Sequence, residues 1–392
     1  MIRTALAATA LLAAPVFAQD YVPPAGDEGW ERRAPSEAGF DAGALEAAVA
    51  FAVENETRND GALGEAVSAR ELTVMVPLQW AAEPYSDPVG PLQDRGEPSG
   101  LVIREGRIVA EWGEPERVDM TFSITKSFLA HTVGIALDDG LIADVHDAVA
   151  PYVEDERFHT DHNAPITWDQ LLRQTSGWWG ELFGKPAWAD RPGENPYDDL
   201  VAGPPEPGAA YEYNDVRVNA LALAATHVFG RPLPEILAER IMDPIGASDG
   251  WVWHGYETST VEIGGEDMVS VSGGGHWGGG MFISAFDLAR LGLLDLNRGE
   301  WGGERLLSED FFDAALEPGE HNPGYGWMNF FLNTPDADNR HDGVPENAYF
   351  HLGAGANAVL VSPDHDLVVV VRWIDGAAMG DFFAQVIAAI DD

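Results

Sequence analysis

Both ends of the 392-residue chain carry strand-like apolar runs broken by turn residues, and the stretch between them is spaced helically. Residues 99–113 (SGLVIREGRIVAEWG) set apolar runs on both sides of Arg104-Glu105-Gly106, which predicts a β-hairpin. Near the C-terminus, residues 356–361 and 367–373 form two more strand-like runs around the turn Ser362-Pro363-Asp364-His365. Between these ends, Phe128, Leu129, Val133, Ile135 and Ala136 give residues 123–138 a helical period. Helices are also predicted over 168–174, 216–228 and 286–296, with a terminal one over 380–390. Upstream, 41–54 reads as a helix with Leu45, Ala48, Val49 and Val53 on one face, and 71–75 as a strand. Residues 19–35, rich in proline, glycine and charge, read as an extended arm. The pattern predicts an α/β fold with one antiparallel sheet, flanked by helices and built from both ends of the chain. A mostly helical subdomain would arise from the middle. The expected division is a single domain over 19–392, with the α/β part near 35–122 and 285–392 and the helical part near 123–284.

The first residues change the picture at the N-terminus. Arg3, an apolar run from Ala5 to Ala14, and Val16-Phe17-Ala18 before Gln19 make a signal peptide cleaved after Ala18. That run is too short to span a bilayer, and no later segment is long and apolar enough. The mature protein is expected in the periplasm or outside the cell. The chain has no cysteine, which excludes a lipid-anchored leader, disulfides, thiolate metal sites and a cysteine nucleophile. A formal charge of −43 argues against nucleic acid and anionic membrane surfaces as partners. The expected partner is a small molecule, and the oligomeric state is not set by sequence.

Only two of the 22 basic residues are lysines, Lys126 and Lys185. Lysine can lose its proton and arginine cannot, so a lysine kept in such a chain points to chemistry. Lys126 stands three residues after Ser123, where an extended segment meets a helix. At that spacing the amine reaches the hydroxyl, which is a weak nucleophile until a base takes its proton.

The chain resembles the penicillin-binding and class C β-lactamase group of serine hydrolases, which includes esterases, D-alanyl-D-alanine peptidases and 6-aminohexanoate-oligomer hydrolases. The resemblance runs over roughly residues 95–375. Besides Ser-x-x-Lys it rests on Gly140-Leu141-Ile142 before Asp147-Ala148-Val149, and on Leu171-Leu172-Arg173-Gln174-Thr175-Ser176-Gly177, which is similar to Leu-Leu-x-His-Thr-Ser-Gly. Pro244-Ile245-Gly246-Ala247 and the run from Gly278-Gly279-Gly280-Met281 to Asp287-Leu288-Ala289 follow in order. The resemblance implies acyl transfer through a Ser123 acyl-enzyme without a cofactor. The Tyr-x-Asn motif of the group corresponds to Tyr213-Asn214-Asp215, with Tyr211 as an alternative general base. Asp215 replaces the usual asparagine, and a carboxylate near Lys126 favours the charged amine, which shifts the base role toward Tyr213.

In the same resemblance, His351-Leu352-Gly353 stands where Lys-Thr-Gly is usual. Gly353 would let the substrate approach, the backbone N–H groups of Ser123 and Ala354 would form the oxyanion hole, and His351 would bind an anionic group. His276 is a candidate wall of the substrate cleft, and Trp178 and Trp179 either line an aromatic pocket there or pack in the core. The glycine-rich run 272–280 reads as a tight turn entering a strand or as part of that wall; no phosphate loop follows from it. His159 and His162 lack a convincing metal spacing, and no metal is expected. The leading reading is a carboxylic esterase or amidase. The alternatives are a β-lactamase or D-alanyl-D-alanine carboxypeptidase, or an inactive relative that binds peptidoglycan.

Overall fold

The computed structural model describes residues 21–57, 83–190, 195, 197–335 and 341–391. The leader expected over 1–18 and the strand expected at 71–75 lie outside the described residues. The main helices are α1 (Ala42–Glu54), α2 (Thr125–Asp138), α3 (Asp215–Phe229), α4 (Ala285–Leu296) and α5 (Gly376–Ala388). The main strands are β1 (Ser99–Arg104), β2 (Arg107–Trp112), β3 (Asp119–Met120), β4 (Val252–Ile263), β5 (Glu266–Val271), β6 (Gly280–Ile283), β7 (Phe330–Phe331), β8 (Tyr349–Gly353), β9 (Asn357–Ser362) and β10 (Leu367–Arg372).

Both ends of the chain meet in one six-stranded antiparallel sheet of order β7-β8-β9-β10-β1-β2. The hairpin β1–β2 pairs with β10 in the register Ser99↔Arg372, Leu101↔Val370 and Arg104↔Leu367. The uninterrupted apolar run of β10 follows from burial on both faces. Val368 and Val370 join the core around α2, α3 and α4, while Leu367, Val369 and Val371 join the core with α1 and α5. The fold is therefore mixed α/β with an antiparallel sheet between helical layers, as the apolar pattern predicts. The middle of the chain also carries strands: β3, β6, β4 and β5 form a second sheet in that order. Among the described residues no helix is long and apolar enough to cross a membrane.

Two helices differ from their expected form. In α1 the buried positions are Leu45, Ala48 and Ala52, whereas Val53 is 44% exposed. The small face of α1 lies against α5, and alanines permit the close approach that two valines would obstruct. Helix α5 begins four residues early, because Asp375 caps it by accepting from the Ala377 N–H.

One buried cation ties the two sheets together. Arg372, at the end of β10, is 1% exposed. It donates to the Ile283 carbonyl at 2.6 Å, the Met120 carbonyl at 2.8 Å and Asn357 Oδ1 at 3.2 Å. Next to it, Trp373 Nε1 donates to Asp119 Oδ2 at 3.0 Å. Truncation would leave buried carbonyls without donors and a cavity between the sheets. We expect Arg372→Ala to lower unfolding stability by about 3 kcal/mol or more. A urea midpoint whose shift corresponds to under about 1 kcal/mol at unchanged slope would refute this role.

Candidate active site

Ser123 sits in a 3-10 turn, Phe122–Ile124, that runs directly into α2. Phe122 adopts φ 48°, a left-handed conformation rare for a bulky residue and held only where the surroundings fix it. The fixing contacts are local. Thr125 Oγ1 donates to the Phe122 carbonyl at 2.5 Å and accepts from the Met281 N–H of β6 at 2.9 Å. On the other side, a Cβ at Gly274 would stand 2.1 Å from that same carbonyl, and Gly274 itself has φ 78°. Only glycine fits there, so the glycine-rich run is a brace for the Ser123 turn as well as a wall.

One helical turn further on, Lys126 points back at Ser123. Its Nζ donates to Ser123 Oγ at 2.8 Å. The amine is buried, with the residue 1% exposed, and also reaches the Gly273 carbonyl at 3.2 Å and Asp215 Oδ1 at 2.8 Å. A buried ammonium needs such partners, because burial alone favours the neutral amine.

Tyr213 and Asp215 flank Asn214, the N-cap of α3, whose side chain accepts from the Arg217 N–H. The segment is clamped by Gln174, whose side-chain oxygen accepts from the Asn214 N–H at 3.0 Å and whose carbonyl accepts from the Glu212 N–H at 2.9 Å. The Leu-Leu-Arg-Gln-Thr-Ser-Gly run thus serves to hold the tyrosine segment. Lys126 Nζ lies 5.1 Å from the centre of the Tyr213 ring. Tyr211 packs on Tyr325 with ring centres 5.2 Å apart.

The end of β8 completes the site. A Cβ at Gly353 would fall 2.0 Å from the Thr121 carbonyl and 3.2 Å from the Ser123 nitrogen. The missing side chain therefore lets the strand lie against the Ser123 turn, rather than serving the substrate alone as the sequence suggested. Asn357 then fixes the next residue, donating to the Ala354 carbonyl at 2.7 Å while receiving Arg372 Nε. Ser123, Ala354 and Gly353 line one cavity of about 370 Å³ with Phe122, Tyr211, Tyr213, Gly274, His276, Phe330 and Leu352.

His276, 3% exposed, stands in that wall between carboxylates. Its Nε2 is 2.7 Å from Glu83 and its Nδ1 is 3.2 Å from Asp215, with Asp190 4.0 Å from Nδ1. Burial lowers its proton affinity, but the bonds to Asp215 and Glu83 and the charge of Asp190 outweigh this and hold the pKa at about 9. Glu83, Asp190 and His276 each place one potential metal-binding atom within 4.8 Å of the others. Both imidazole nitrogens already face carboxylates, so a protonated histidine accounts for the grouping. His159 and His162 each bond a backbone carbonyl, of Val153 and Gly177 respectively.

Two candidate substrate-binding residues, Trp178 and His351, are elsewhere. Trp178 is fully buried, with its ring against Phe158, and belongs to the core. His351 alternates inward on β8: its Nε2 is 2.7 Å from Asp295 Oδ2, and His131 takes the other oxygen at 2.6 Å. It does not line the cavity. Burial would raise the Asp295 pKa, but the charge and hydrogen bonds of His131 and His351 prevail and hold it at about 2. The anion-binding role expected of His351 is thus replaced by a link between α2, α4 and β8.

The sequence model of one family, described as Beta-lactamase, matches residues 93–373. The chain belongs to the Beta-lactamase family. It is a serine hydrolase of that family. Its fold is similar to that of a putative 6-aminohexanoate-dimer hydrolase from Bacillus anthracis (TM-score 0.55, 18% identity, 74% of this chain and 78% of that one). It is also similar to EstCE1, a hydrolase with promiscuous acyltransferase activity (0.54, 17% identity, 75% and 93%). A penicillin-binding protein from Bacillus halodurans is a third (0.52, 20% identity, 74% and 94%).

Several residues of this Beta-lactamase-family site carried no signal that the sequence reading used. Glu83 and Asp190 belong to no motif, and Gly273 acts through its carbonyl. Phe330 enters the cavity through sheet pairing, since β7 joins β8. The His276 cluster has a measurable consequence. A folded-state pKa of about 9, above the unfolded value near 6.5, adds stability that is full below pH ~6.5 and lost as pH rises through about 9. The stability gap between the native chain and His276→Gln should therefore shrink by about 3 kcal/mol between pH ~6 and ~10 in urea titrations. A gap independent of pH would contradict the assigned protonation.

Proposed function

We propose that the protein is an exported hydrolase that cleaves neutral carboxylic esters or amides through an acyl-enzyme on Ser123. The observation that carries this reading is the 2.8 Å contact between Lys126 Nζ and Ser123 Oγ at the wall of the cavity. Ser123 Oγ bonds to the acyl carbon while its proton passes to the Lys126–Tyr213 pair. The Ser123 and Ala354 N–H groups receive the oxyanion, the leaving alcohol or amine departs with the proton, and water then frees the acid. The proximity of the Tyr213 ring to Lys126 Nζ favours Tyr213 over Tyr211 as the acid–base group. The charged start, apolar run and small-residue site over residues 1–18 support export.

Neutral substrates are favoured by the charges around the cavity. Among its described lining residues there is no arginine or lysine, and His276 is committed to Asp215 and Glu83. A substrate carboxylate, as in a penicillin or a D-alanyl-D-alanine end, would meet no arginine or lysine among the described lining residues. Desolvation without a partner makes such binding costly.

Ser123→Ala should abolish both hydrolysis of p-nitrophenyl butyrate and covalent labelling by a fluorophosphonate. Lys126→Arg should be nearly as damaging as Lys126→Ala, because arginine keeps the charge but cannot release the proton. Tyr213→Phe should lower kcat by about 100-fold or more, and Tyr211→Phe by much less. Near-normal turnover in well-folded Lys126→Arg would overturn the proton-transfer scheme.

The charge argument predicts that kcat/KM for a neutral p-nitrophenyl ester exceeds that for its hemisuccinate counterpart by at least about tenfold, some 1.4 kcal/mol. Because His351 is part of the Asp295 link, His351→Ala should lower activity on both esters alike. A selective loss on the carboxylate ester would return His351 to the substrate.

A further inference from the structure

Asp215 divides its carboxylate between two cationic side chains. Oδ1 is 2.8 Å from Lys126 Nζ, and Oδ2 is 3.2 Å from His276 Nδ1. In most chemistry at a serine–lysine pair, a full carboxylate against the amine would be a handicap, since it holds the lysine proton in place. Here the far side of the carboxylate is occupied. His276 is itself anchored by Glu83 at 2.7 Å and stacked beside Trp277 with ring centres 4.3 Å apart. Asp190 approaches Nδ1 to 4.0 Å and also accepts the Asp215 backbone N–H.

The charged and titratable groups around the imidazole come from several elements. Asp215 opens α3, Glu83 precedes β1, and Asp190 follows the turn Ala187–Ala189. Lys126 of α2 reaches it through Asp215, and Tyr213 lies beside Lys126. Lys185 Nζ sits 5.2 Å from the Trp277 ring, behind the imidazole, and is held by the Tyr85 and Asp87 carbonyls. Tyr256 approaches through Asn219, whose amide donates to its hydroxyl at 3.2 Å.

We infer that His276 is a positioning residue: its imidazolium binds one oxygen of Asp215, orients the other on Lys126, and offsets the charge that would otherwise lock the proton on the amine. The inference rests on the Ser123–Lys126 reading above. With a pKa held at about 9, His276 is cationic at neutral pH. It touches no reacting atom. The serine proton moves to the Lys126–Tyr213 pair as the Oγ–acyl bond forms, and leaves with the departing alcohol as the ester bond breaks.

A neutral residue at 276 would remove the cation beside Asp215 Oδ2 and make the surroundings of Lys126 more negative, so that its ammonium form would persist to higher pH. The test is the pH profile of kcat/KM for p-nitrophenyl butyrate in the full mature chain, from about pH 5.5 to 10. For His276→Gln, the acid limb should move up by about one unit or more, a rate loss of about tenfold or more at pH ~7. The rates should converge toward the native enzyme at the alkaline end. Asp215→Asn added to His276→Gln should bring the limb back down, because the carboxylate in contact with Lys126 is gone. A uniform loss at every pH, or no recovery in the double variant, would overturn the inference. His276→Asn serves as the second variant if glutamine prevents folding. Fluorophosphonate labelling of the native enzyme separates the two failures. Without a label on Ser123 the nucleophile assignment falls, and this inference with it. With a label on Ser123 and coincident pH profiles, only the role of His276 falls.

Discussion

A lysine amine buried against a serine hydroxyl sets the terms for everything around it. Lys126 is 1% exposed, and an ammonium taken out of water must regain its solvation from fixed groups. The fold meets that demand from three separate elements: Ser123 on the preceding turn, Gly273 on the glycine-rich run, and Asp215 at the start of α3. Each contact imposes a further condition. The Ser123 turn needs Phe122 at positive φ, the glycine run must pass without side chains, and Asp215 must be held by a cap and by Gln174. The apolar core supplies the mass of the structure, but this one cation explains why its parts meet where they do.

Two buried polar links hold the sheet that carries Ala354, one to the second sheet and one to the Ser123 helix. Arg372 reaches Asn357, which holds the Ala354 carbonyl, while its guanidinium grips the backbone of β3 and β6. Asp295 of α4 binds His131 on α2 with one oxygen and His351 on β8 with the other. Such networks are costly when half satisfied and stiff when complete. Their positions matter more than their net energy, because the two backbone N–H groups assigned to the oxyanion come from the two elements they connect. A displacement of a fraction of an ångström between turn and strand would separate those donors.

The elements with strong periodicity were legible in the sequence: the β1–β2 hairpin, the β9–β10 pair, and the helices α2, α3 and α4. So was the serine–lysine pair, because spacing along one helix needs no tertiary knowledge. Direction was harder to read. His351 and Trp178 lie in the expected motifs, yet both side chains face the interior: for His351 a strand sends alternate residues to opposite faces, and for Trp178 a loop carries no periodicity to read. The β4–β5 hairpin was missed even though Gly264-Gly265 lies between runs rich in valine, threonine and tyrosine, a usable turn signal. Glu83 and Asp190 left no trace at all. Their meaning depends on meeting His276 across more than 80 residues of chain, and no local pattern encodes that.

The chain's near-abandonment of lysine can be taken one step further with both lysines in place. Lys185 is also buried, 2% exposed, with its ammonium on the carbonyls of Tyr85 and Asp87. Burial lowers its pKa against the opposing charges of Asp87 and Glu83. Those carbonyls belong to the segment that begins with Glu83, the carboxylate that anchors His276. A compact ammonium fits two converging carbonyls, where a planar guanidinium spreads its donors too widely. The two retained lysines therefore stand at opposite ends of one polar chain: Ser123, Lys126, Asp215, His276, Glu83, and the backbone that Lys185 holds. The surface can use arginine throughout because its charges only meet water and exposed carboxylates. The interior also holds arginines, Arg372 among them, so burial alone does not select lysine; at positions 126 and 185 a compact ammonium meets its partners through one nitrogen.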